Sequence, residues 1–247
     1  MKTINQIAVL ITLSVLGFIS CTKNFEDINT DKNLATKENF DYSYSLAKAE
    51  LEYTGNSDFS YETWRVNIIY CSLMMQQLAN NSWYSGDKYI ANDGWTSSYF
   101  QVAYPSQVKY ILDIIRNLKD NPLYSNLYNI TRIVKVLIFH RITDLYGDIP
   151  YFEAGNGLEG SNSFITKYDS QKDIYTDFFK ELDEAQKALD KTKDIIKNDL
   201  IYQGDIDKWK KFANSLMLRL AMRLTKVDIG TATAMAEKNH FLNPSGS

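Results

Sequence analysis

The stretch LYSNLYNITRIVKVLIFHRITDLYGDIP, residues 123–150, carries the most regular helical pattern in this 247-residue chain. The positions that repeat at steps of three and four residues are Leu127, Ile130, Val134, Leu137, Arg141 and Leu145, with Ile133 and Ile138 widening the stripe. This spacing puts the side chains on one face and predicts a helix from about Leu123 to Tyr146. Gly147 can end the helix in a left-handed conformation, and Pro150 cannot extend it.

Further helices are predicted on both sides, giving five or six in all. Those before it cover about 42–53, 61–78 and 95–118. A fifth opens at Ser170, with Asp173 three residues on as its capping partner, and a sixth begins with Asp207 as N-cap. The side chains predicted to face the core are Ile111, Leu112, Ile115 and Leu118 in the third helix, Ile174, Phe178, Leu182, Ala185 and Leu189 in the fifth, and Phe212, Leu216, Leu220 and Leu224 in the sixth.

Helices joined by loops in this way predict a mainly α, solenoid-like scaffold of antiparallel helix pairs, with long irregular loops such as 154–168. The consensus residues of the tetratricopeptide repeat are not visible, so the periodicity alone does not establish that repeat. The chain stops at FLNPSGS, residues 241–247, directly after a helix. We expect either a domain truncated at its C-terminus or one with a loose tail.

The composition indicates an ordinary globular protein, with 45% hydrophobic and 23% charged residues. Its net charge is −3 and its pI is about 5.5. Such a chain offers no basic face to neutralise phosphates, so a nucleic-acid partner is not expected.

The N-terminus predicts export. Lys2 precedes thirteen almost purely apolar residues, 7–19. As a helix this run would span about 20 Å, which is too short for a bilayer core of about 30 Å. Residues 1–20 are therefore interpreted as a signal peptide, residues 21–41 as a polar tether and residues 42–247 as the helical domain.

Cys21 stands at the junction between the apolar run and the polar tether. Ser20-Cys21 resembles a bacterial lipobox, in which cleavage leaves a lipid-carrying cysteine at the new N-terminus. Multiple acyl chains on that cysteine would anchor the protein without a spanning helix, since each buried CH₂ contributes about 0.8 kcal/mol. A disulfide with Cys71 is the alternative, but Cys71 lies in a helical pattern where a cysteine usually packs as a small hydrophobe.

Signatures of hydrolases and metal sites are mostly missing, and no cofactor is expected. The chain has two histidines, and His140 falls in an apolar helix where a hydrogen-bonded core histidine is the commoner role. Asp144, Asp148 and Glu153 cluster near the end of the same helix and could form a two-carboxylate hydrolytic site. Carboxylates at helix ends more often cap or hydrogen-bond the backbone.

A weak calcium pattern lies in the tether. The candidate ligands are Asp27, Asn29, Asp31 and Glu38, at positions 1, 3, 5 and 12 of a calcium loop. Lys32 occupies the position that needs glycine for the sharp turn. Asn and Asp in a solvated tether explain the same residues, and this interpretation is preferred.

Residues 80–104, NNSWYSGDKYIANDGWTSSYFQVAY, are unusually aromatic, with seven rings among the 22 residues 83–104. Exposed rings among amides and hydroxyls suit sugars, because the C–H face of a pyranose stacks on a ring while side chains bond its hydroxyls. Tyr99 and Phe100 are expected to be helix core instead, and for Trp83 and Tyr84 both interpretations stay open. The glycan-binding candidates are Asn81, Trp83, Tyr84, Tyr89 and Trp95.

Three stretches together resemble the SusD/RagB family, particularly its SusD-like branch from Bacteroidota. They are FEDINTDKN (25–33), just after Cys21, DLYGDIPYFEA (144–154) and WKKFANSLMLRLAMRLTKVD (209–228). The resemblance covers the mature chain but only about half of a typical member. The acidic Glu26-Asp27 pair is similar to signals that send lipoproteins to the cell surface.

The resemblance implies a tetratricopeptide-like scaffold, lipid-anchored on the exterior of the outer membrane. It implies a non-enzymatic role: binding oligosaccharides or peptides for import through a SusC-like TonB-dependent transporter. Two alternatives remain. One is a purely structural scaffold whose aromatic residues contact the transporter, and the other is a surface glycoside hydrolase that uses Asp144 or Asp148.

Overall fold

The computed structural model describes residue 29 and residues 39–55, 64–82, 86–160 and 165–242. The chain divides into two units, Met1–Phe40 and Asp41–Ser247, and the second carries the helices. The predicted signal peptide and most of the tether lie outside the described residues. So do several predicted site residues, namely Cys21, Asp27, Asp31, Glu38, Trp83 and Tyr84.

The described part of the chain is mainly helical, which confirms the predicted fold class. Its principal helices are α1 (Ser43–Thr54), α2 (Ser98–Ala103), α3 (Lys109–Leu118), α4 (Ser125–Tyr146), α5 (Gln171–Ala188), α6 (Ile206–Arg223) and α7 (Ile229–Leu242). The shorter elements are π-helices at Trp64–Ser72 and Tyr104–Val108, 3₁₀ turns at Gly86–Lys88, Pro122–Tyr124 and Asn156–Glu159, and one α-turn at Asp93–Thr96.

The helices pack largely in chain order: α1 against α3, α3 against α4, α4 against α5, α5 against α6, and α6 against α7. Packing of each helix on its neighbours in sequence is the arrangement of a helical solenoid. The centre is α4, where the fully buried side chains are Ile130, Ile133, Val134, Val136, Ile138, Phe139 and Ile142. Each such side chain contributes about 1.5–3 kcal/mol by leaving water, so the stretch quoted first forms the core.

The start of α5 follows the sequence, whereas the start of α6 does not. The Ser170 hydroxyl accepts a hydrogen bond from the Asp173 amide at 3.1 Å, as predicted. At α6 the N-cap is Asp205 and not Asp207, because the Asp205 carboxylate accepts the Lys208 amide three residues on at 3.1 Å. Asp207 lies in the first turn and pairs with Lys191.

The end of α4 differs in detail from the predicted left-handed cap. Gly147 has φ of 76° but ψ of −124°, outside the left-handed helical region. Its amide donates to the Thr143 carbonyl at 2.8 Å, and its own carbonyl accepts the Thr143 hydroxyl at 2.6 Å. The chain then enters an isolated antiparallel bridge between Ile149 and Asp169.

The predicted helix 95–118 is interrupted. A turn at Asp93–Thr96 is followed by α2, by the π-helix Tyr104–Val108 and then by α3. Pro105 lies in the π segment, where its missing N–H cannot complete a regular α ladder. The predicted helix 61–78 is also too long, because the described part ends in a turn in which Gln76 has φ of 58°.

The core faces of α3 and α6 are rotated from the predicted ones. In α3 the buried side chains are Ile111, Ile114 and Leu118, while the predicted Leu112 and Ile115 are half-buried. In α6 the predicted Leu216 and Leu220 are buried, but Phe212 and Leu224 are half-buried. The missed core residues of α6 are Trp209, Ala213, Met217 and Ala221. Trp209 fixes this face, since its fully buried indole donates to the Asp199 carboxylate at 2.6 Å.

Candidate functional site

The described start of the aromatic stretch belongs to an irregular surface segment, residues 75–82 and 86–92, which we call the loop 75–92. Buried contacts hold this segment in place. Gly86 is buried so closely that a Cβ there would lie 2.4 Å from the Ile69 carbonyl oxygen. The Asp87 carboxylate accepts the Asn80 amide at 3.1 Å, and the Asp87 carbonyl accepts the Gln76 side-chain amide at 3.3 Å. These bonds hold the bend at 80–82 beside the 3₁₀ turn at Gly86–Lys88. The described part of the loop is thus a preformed surface.

The structure places the described glycan candidates at the surface of this loop and at its base. Asn81 is exposed, and Tyr89 is 65% exposed. Trp95 is half-buried and meets Tyr70 edge-on at 6.4 Å between ring centroids. The Tyr70 hydroxyl contacts the Ile90 carbonyl at 3.5 Å, so Trp95 and the segment around Tyr89 share one supporting residue. Trp83 and Tyr84 stay predictions.

The same loop exposes apolar side chains that the sequence analysis missed. Met75 is 71% exposed, Leu78 is 49% exposed and Ile90 is 54% exposed. Met75 and Leu78 were missed because a helix was predicted through residue 78, and in that helix both side chains would belong to the core. No local signal predicted the turn at Gln76, because glutamine is a good helix former. The surface therefore combines aliphatic groups, an aromatic ring and amides.

The two aromatic residues expected in the core behave differently from each other. Tyr99 is fully buried, as predicted, and the Arg141 guanidinium lies 4.5 Å from its ring centroid. Such a cation–π contact explains how an arginine occupies the apolar stripe of α4. Burial raises the pKa of the Tyr99 hydroxyl well above its usual range. Phe100 is only half-buried and lines a groove.

The carboxylates near the end of α4 serve the fold. Asp144 accepts the Tyr175 hydroxyl at 2.5 Å and pairs with the Arg223 Nε at 3.0 Å. Asp148 accepts the amide of Gln171, the first residue of α5, at 2.9 Å. Glu153 lies 3.9 Å from the ammonium of Lys167. Each carboxylate has its own structural partner, as the capping interpretation predicts.

His140 is the buried core histidine that the sequence predicts. It is 3% exposed, and its Nδ1 lies 3.1 Å from the Leu137 carbonyl oxygen. Its Nε2 lies 3.5 Å from Asp144, and burial lowers the pKa of the imidazole below its ordinary value. The neutral imidazole therefore lies between the Leu137 carbonyl and the Asp144 carboxylate, where it packs within the end of α4.

A cavity of about 540 Å³ lies beside this network, between the end of α4, the start of α5 and the α6–α7 junction. Asp144, Lys172 and Arg223 contribute charged groups to its wall, and Phe179 and Val227 contribute apolar ones. Asp228 caps α7 at this place by accepting the Thr231 amide at 3.0 Å.

Within the part of the chain that the structure describes, no cluster of three or more His, Cys, Asp or Glu side chains could hold a metal ion. The helices described here also include none with the length and hydropathy needed to cross a bilayer. Asn29, the described calcium candidate, is exposed.

Cys71 is a free, half-buried thiol in the Trp64–Ser72 π-helix, and burial raises the pKa of this thiol.

Known structures share this architecture. A structure described as a chitin-binding protein is 35% identical, with a TM-score of 0.74 over 81% of this chain and 43% of that one. A SusD-like protein named Bacteroidetes AC2a is 32% identical, with a TM-score of 0.71 over 81% of this chain and 36% of that one. A SusD homolog from Parabacteroides distasonis ATCC 8503 is 29% identical, with a TM-score of 0.62 over 81% and 38%.

This chain therefore spans less than half the length of these solved relatives. A search of curated proteins finds no match. The helical arrangement is the tetratricopeptide-like one that these relatives share, which confirms the predicted scaffold. Asp144 and Arg223 join two of the segments on which the family resemblance rests. A family profile described as "starch-binding associating with outer membrane" matches residues 47–245, and the chain therefore belongs to the SusD-like family.

Proposed function

We propose that this chain is the glycan-binding, non-enzymatic part of a surface lipoprotein that captures nutrient oligosaccharides for a SusC-like TonB-dependent transporter. The observation that carries the proposal is the described part of the loop 75–92, which other residues hold in place. In it Tyr89 and Asn81 are exposed, and Trp95 at its base is half-buried. The family description names starch, and one related structure is named for chitin binding. Both are neutral glycans.

Binding at this loop would be passive. The Tyr89 ring can stack on the C–H face of a pyranose, and the Asn81 amide can bond ring hydroxyls. Because Asp87 and Gly86 already hold the loop in place, little conformational entropy is lost when a sugar binds. No bond is made or broken, so the sugar leaves unchanged for the transporter.

The proposed anchor is an acylated Cys21 in the outer leaflet of the outer membrane. The twenty residues 22–41 then connect the lipid to the helical domain. Fully extended, such a segment reaches up to about 65 Å. That reach would let the domain move over the mouth of a neighbouring transporter while the lipid keeps it at the cell surface.

The test replaces Trp83 and Tyr84 together by alanine in the full chain. Isothermal titration with maltoheptaose and chitohexaose should show a loss of at least about tenfold in affinity for whichever sugar binds, since two stacking rings are removed. The transporter should still copurify with the variant. Retained glycan affinity with a lost transporter complex would instead support a structural scaffold.

A further inference from the structure

A second groove, about 390 Å³ in volume, lies between α2 and the described residues that follow Pro150. It is separate from the loop 75–92 and from the charged cavity beside Asp144. Its lining residues are Phe100, Gln101, Tyr104, Pro150, Ala154, Gly155 and Thr166. The volume falls in the range of about 300–1,000 Å³ that is usual for small-ligand sites.

The floor of the groove is a fixed cluster of aromatic rings around Phe100. The Phe100 ring lies 5.1 Å from Tyr104 and meets Tyr146 edge-on at 5.3 Å, both between centroids. The Tyr104 hydroxyl donates to the Pro150 carbonyl at 2.7 Å. The Tyr146 hydroxyl donates to the Thr96 carbonyl at 2.7 Å and accepts the Phe100 amide at 3.2 Å. The Tyr104 and Tyr146 rings are therefore held by partly buried hydrogen bonds, and they fix the position of the Phe100 ring between them.

The wall opposite the rings is equally constrained. Gly155 has φ of 81°, and a Cβ there would lie 2.8 Å from the Leu112 Cδ1. The Arg116 guanidinium donates to the Gly155 carbonyl at 2.5 Å. The Asp169 carboxylate accepts the amides of Tyr151 at 3.1 Å and Phe152 at 2.8 Å, which fixes the start of this segment. The groove is therefore preformed.

The rim carries polar groups that the fold does not use. Tyr168 is 62% exposed, and its ring is inclined by only 11° to that of Phe100 at 6.4 Å. Gln101 is exposed, and its side-chain nitrogen donates to Ser97 at 3.3 Å. Among the described residues, none bonds the Gln101 side-chain carbonyl or the hydroxyls of Thr166 and Tyr168. An aromatic floor with free amide and hydroxyl groups is the chemistry that recognises a pyranose.

We propose that this groove is a second glycan subsite, which takes one pyranose ring of a neutral oligosaccharide; the proposal rests on the proposed function. Neutral sugars are favoured because none of the described lining residues carries a charge. Phe100 and Tyr168 provide aromatic faces, and Gln101 and Thr166 provide hydrogen-bonding groups.

The subsite is separate from the loop 75–92 but close in sequence to its base at Trp95. Phe100 follows Trp95 by five residues, and at 1.5 Å per helical residue this is a separation of about 8 Å along the chain. The proposal includes that one oligosaccharide contacts both places. Two linked contacts raise the overall affinity for long chains more than for short ones, because the second contact forms intramolecularly.

The experiment measures affinity for maltoheptaose and chitohexaose by isothermal titration, using the full chain. Tyr168→Ala and Gln101→Ala should each weaken binding of the sugar that the wild type binds, by about 3- to 10-fold. Tyr168→Phe keeps the ring and should lose less than Tyr168→Ala. Tyr44→Ala is the matched control, since Tyr44 is also 62% exposed but lies on α1. Thermal melting checks that each variant is folded.

A second readout separates this subsite from the loop. The side-chain amide signal of Gln101 in a ¹⁵N-correlated NMR spectrum should shift on adding the sugar, both in the wild type and in Tyr89→Ala. Unchanged affinity of Tyr168→Ala with an immobile Gln101 signal would overturn the subsite, while a loss in Tyr89→Ala would still support the proposed function. If the wild type bound neither sugar, both proposals would fail.

Discussion

The end of α4 and the loop 75–92 are both rich in polar and aromatic side chains, yet they use them in opposite ways. At the end of α4, Asp144 and Asp148 bond to groups of α5 and α6, and His140 is buried beside Asp144. In the loop, Asn81 and Tyr89 face solvent on a base that other residues have already fixed. The carboxylates that look catalytic in the sequence have partners within the fold, whereas the proposed binding chemistry lies in the aromatic and amide groups.

The largest expected effect is on stability, and it concerns Glu50, a buried carboxyl group far in sequence from the end of α4. Glu50 on α1 is 1% exposed, and its carboxylate accepts the Leu200 amide at 2.7 Å. Burial, reinforced by the neighbouring Asp199, raises the pKa of Glu50 from 4.5 to about 8. At neutral pH the Glu50 carboxyl is therefore mostly protonated.

The sign of the pH dependence follows. Above pH 4.5 the unfolded chain releases the Glu50 proton while the folded chain keeps it until about pH 8. The free energy of unfolding should therefore fall across this window, by up to about 1.4 kcal/mol per pH unit. Glu50→Gln mimics the protonated acid and should flatten the profile. Urea unfolding from pH 5 to 8 measures it, and an equally steep slope in the variant would contradict the assignment.

The next effect concerns the network at the end of α4. Asp144→Ala leaves the Tyr175 hydroxyl without its acceptor and removes the carboxylate beside Arg223. We expect a loss of about 1.5–3 kcal/mol in the free energy of unfolding, with glycan affinity unchanged. Glu184→Ala is the control, because its ion pair with Arg132 is half-exposed and should cost about 1 kcal/mol or less.

Denaturant unfolding and sugar titration on the same samples measure both quantities. A folded, equally stable Asp144→Ala protein that had lost a glycan-degrading activity of the wild type would reverse the interpretation. It would mean that the end of α4 is a catalytic site.

The regular elements were predictable from sequence because they depend on local periodicity. The stripe through Ile130 and Val134 fixes α4, and the Ser170–Asp173 pair fixes the start of α5. The π segment after Tyr104 and the N-cap at Asp205 were not predicted. The π segment contains Pro105, whose missing N–H interrupts the α-helical ladder, so a local signal was present and was overlooked. The N-cap depends on which of two nearby aspartates meets a free amide.

The composition of the proposed site could be predicted from the sequence, but its geometry could not. The excess of aromatic residues in 83–104 predicted a binding surface, which stays a prediction, and the structure shows that Tyr89 is exposed there. The sequence could not show that Gly86 must lie against Ile69, or that Phe100 would line a groove with Thr166, 66 residues further on. Contacts between distant segments carry no periodic signal.

The most direct test of the account is a comparison of two single-ring variants with nearly equal exposure. Tyr89 is 65% exposed in the loop, and Tyr44 is 62% exposed on α1. Isothermal titration of Tyr89→Ala should show affinity for maltoheptaose or chitohexaose reduced by about 3- to 10-fold, while Tyr44→Ala binds as the wild type does. Equal affinities in all three proteins would contradict the central claim that the loop 75–92 binds sugar.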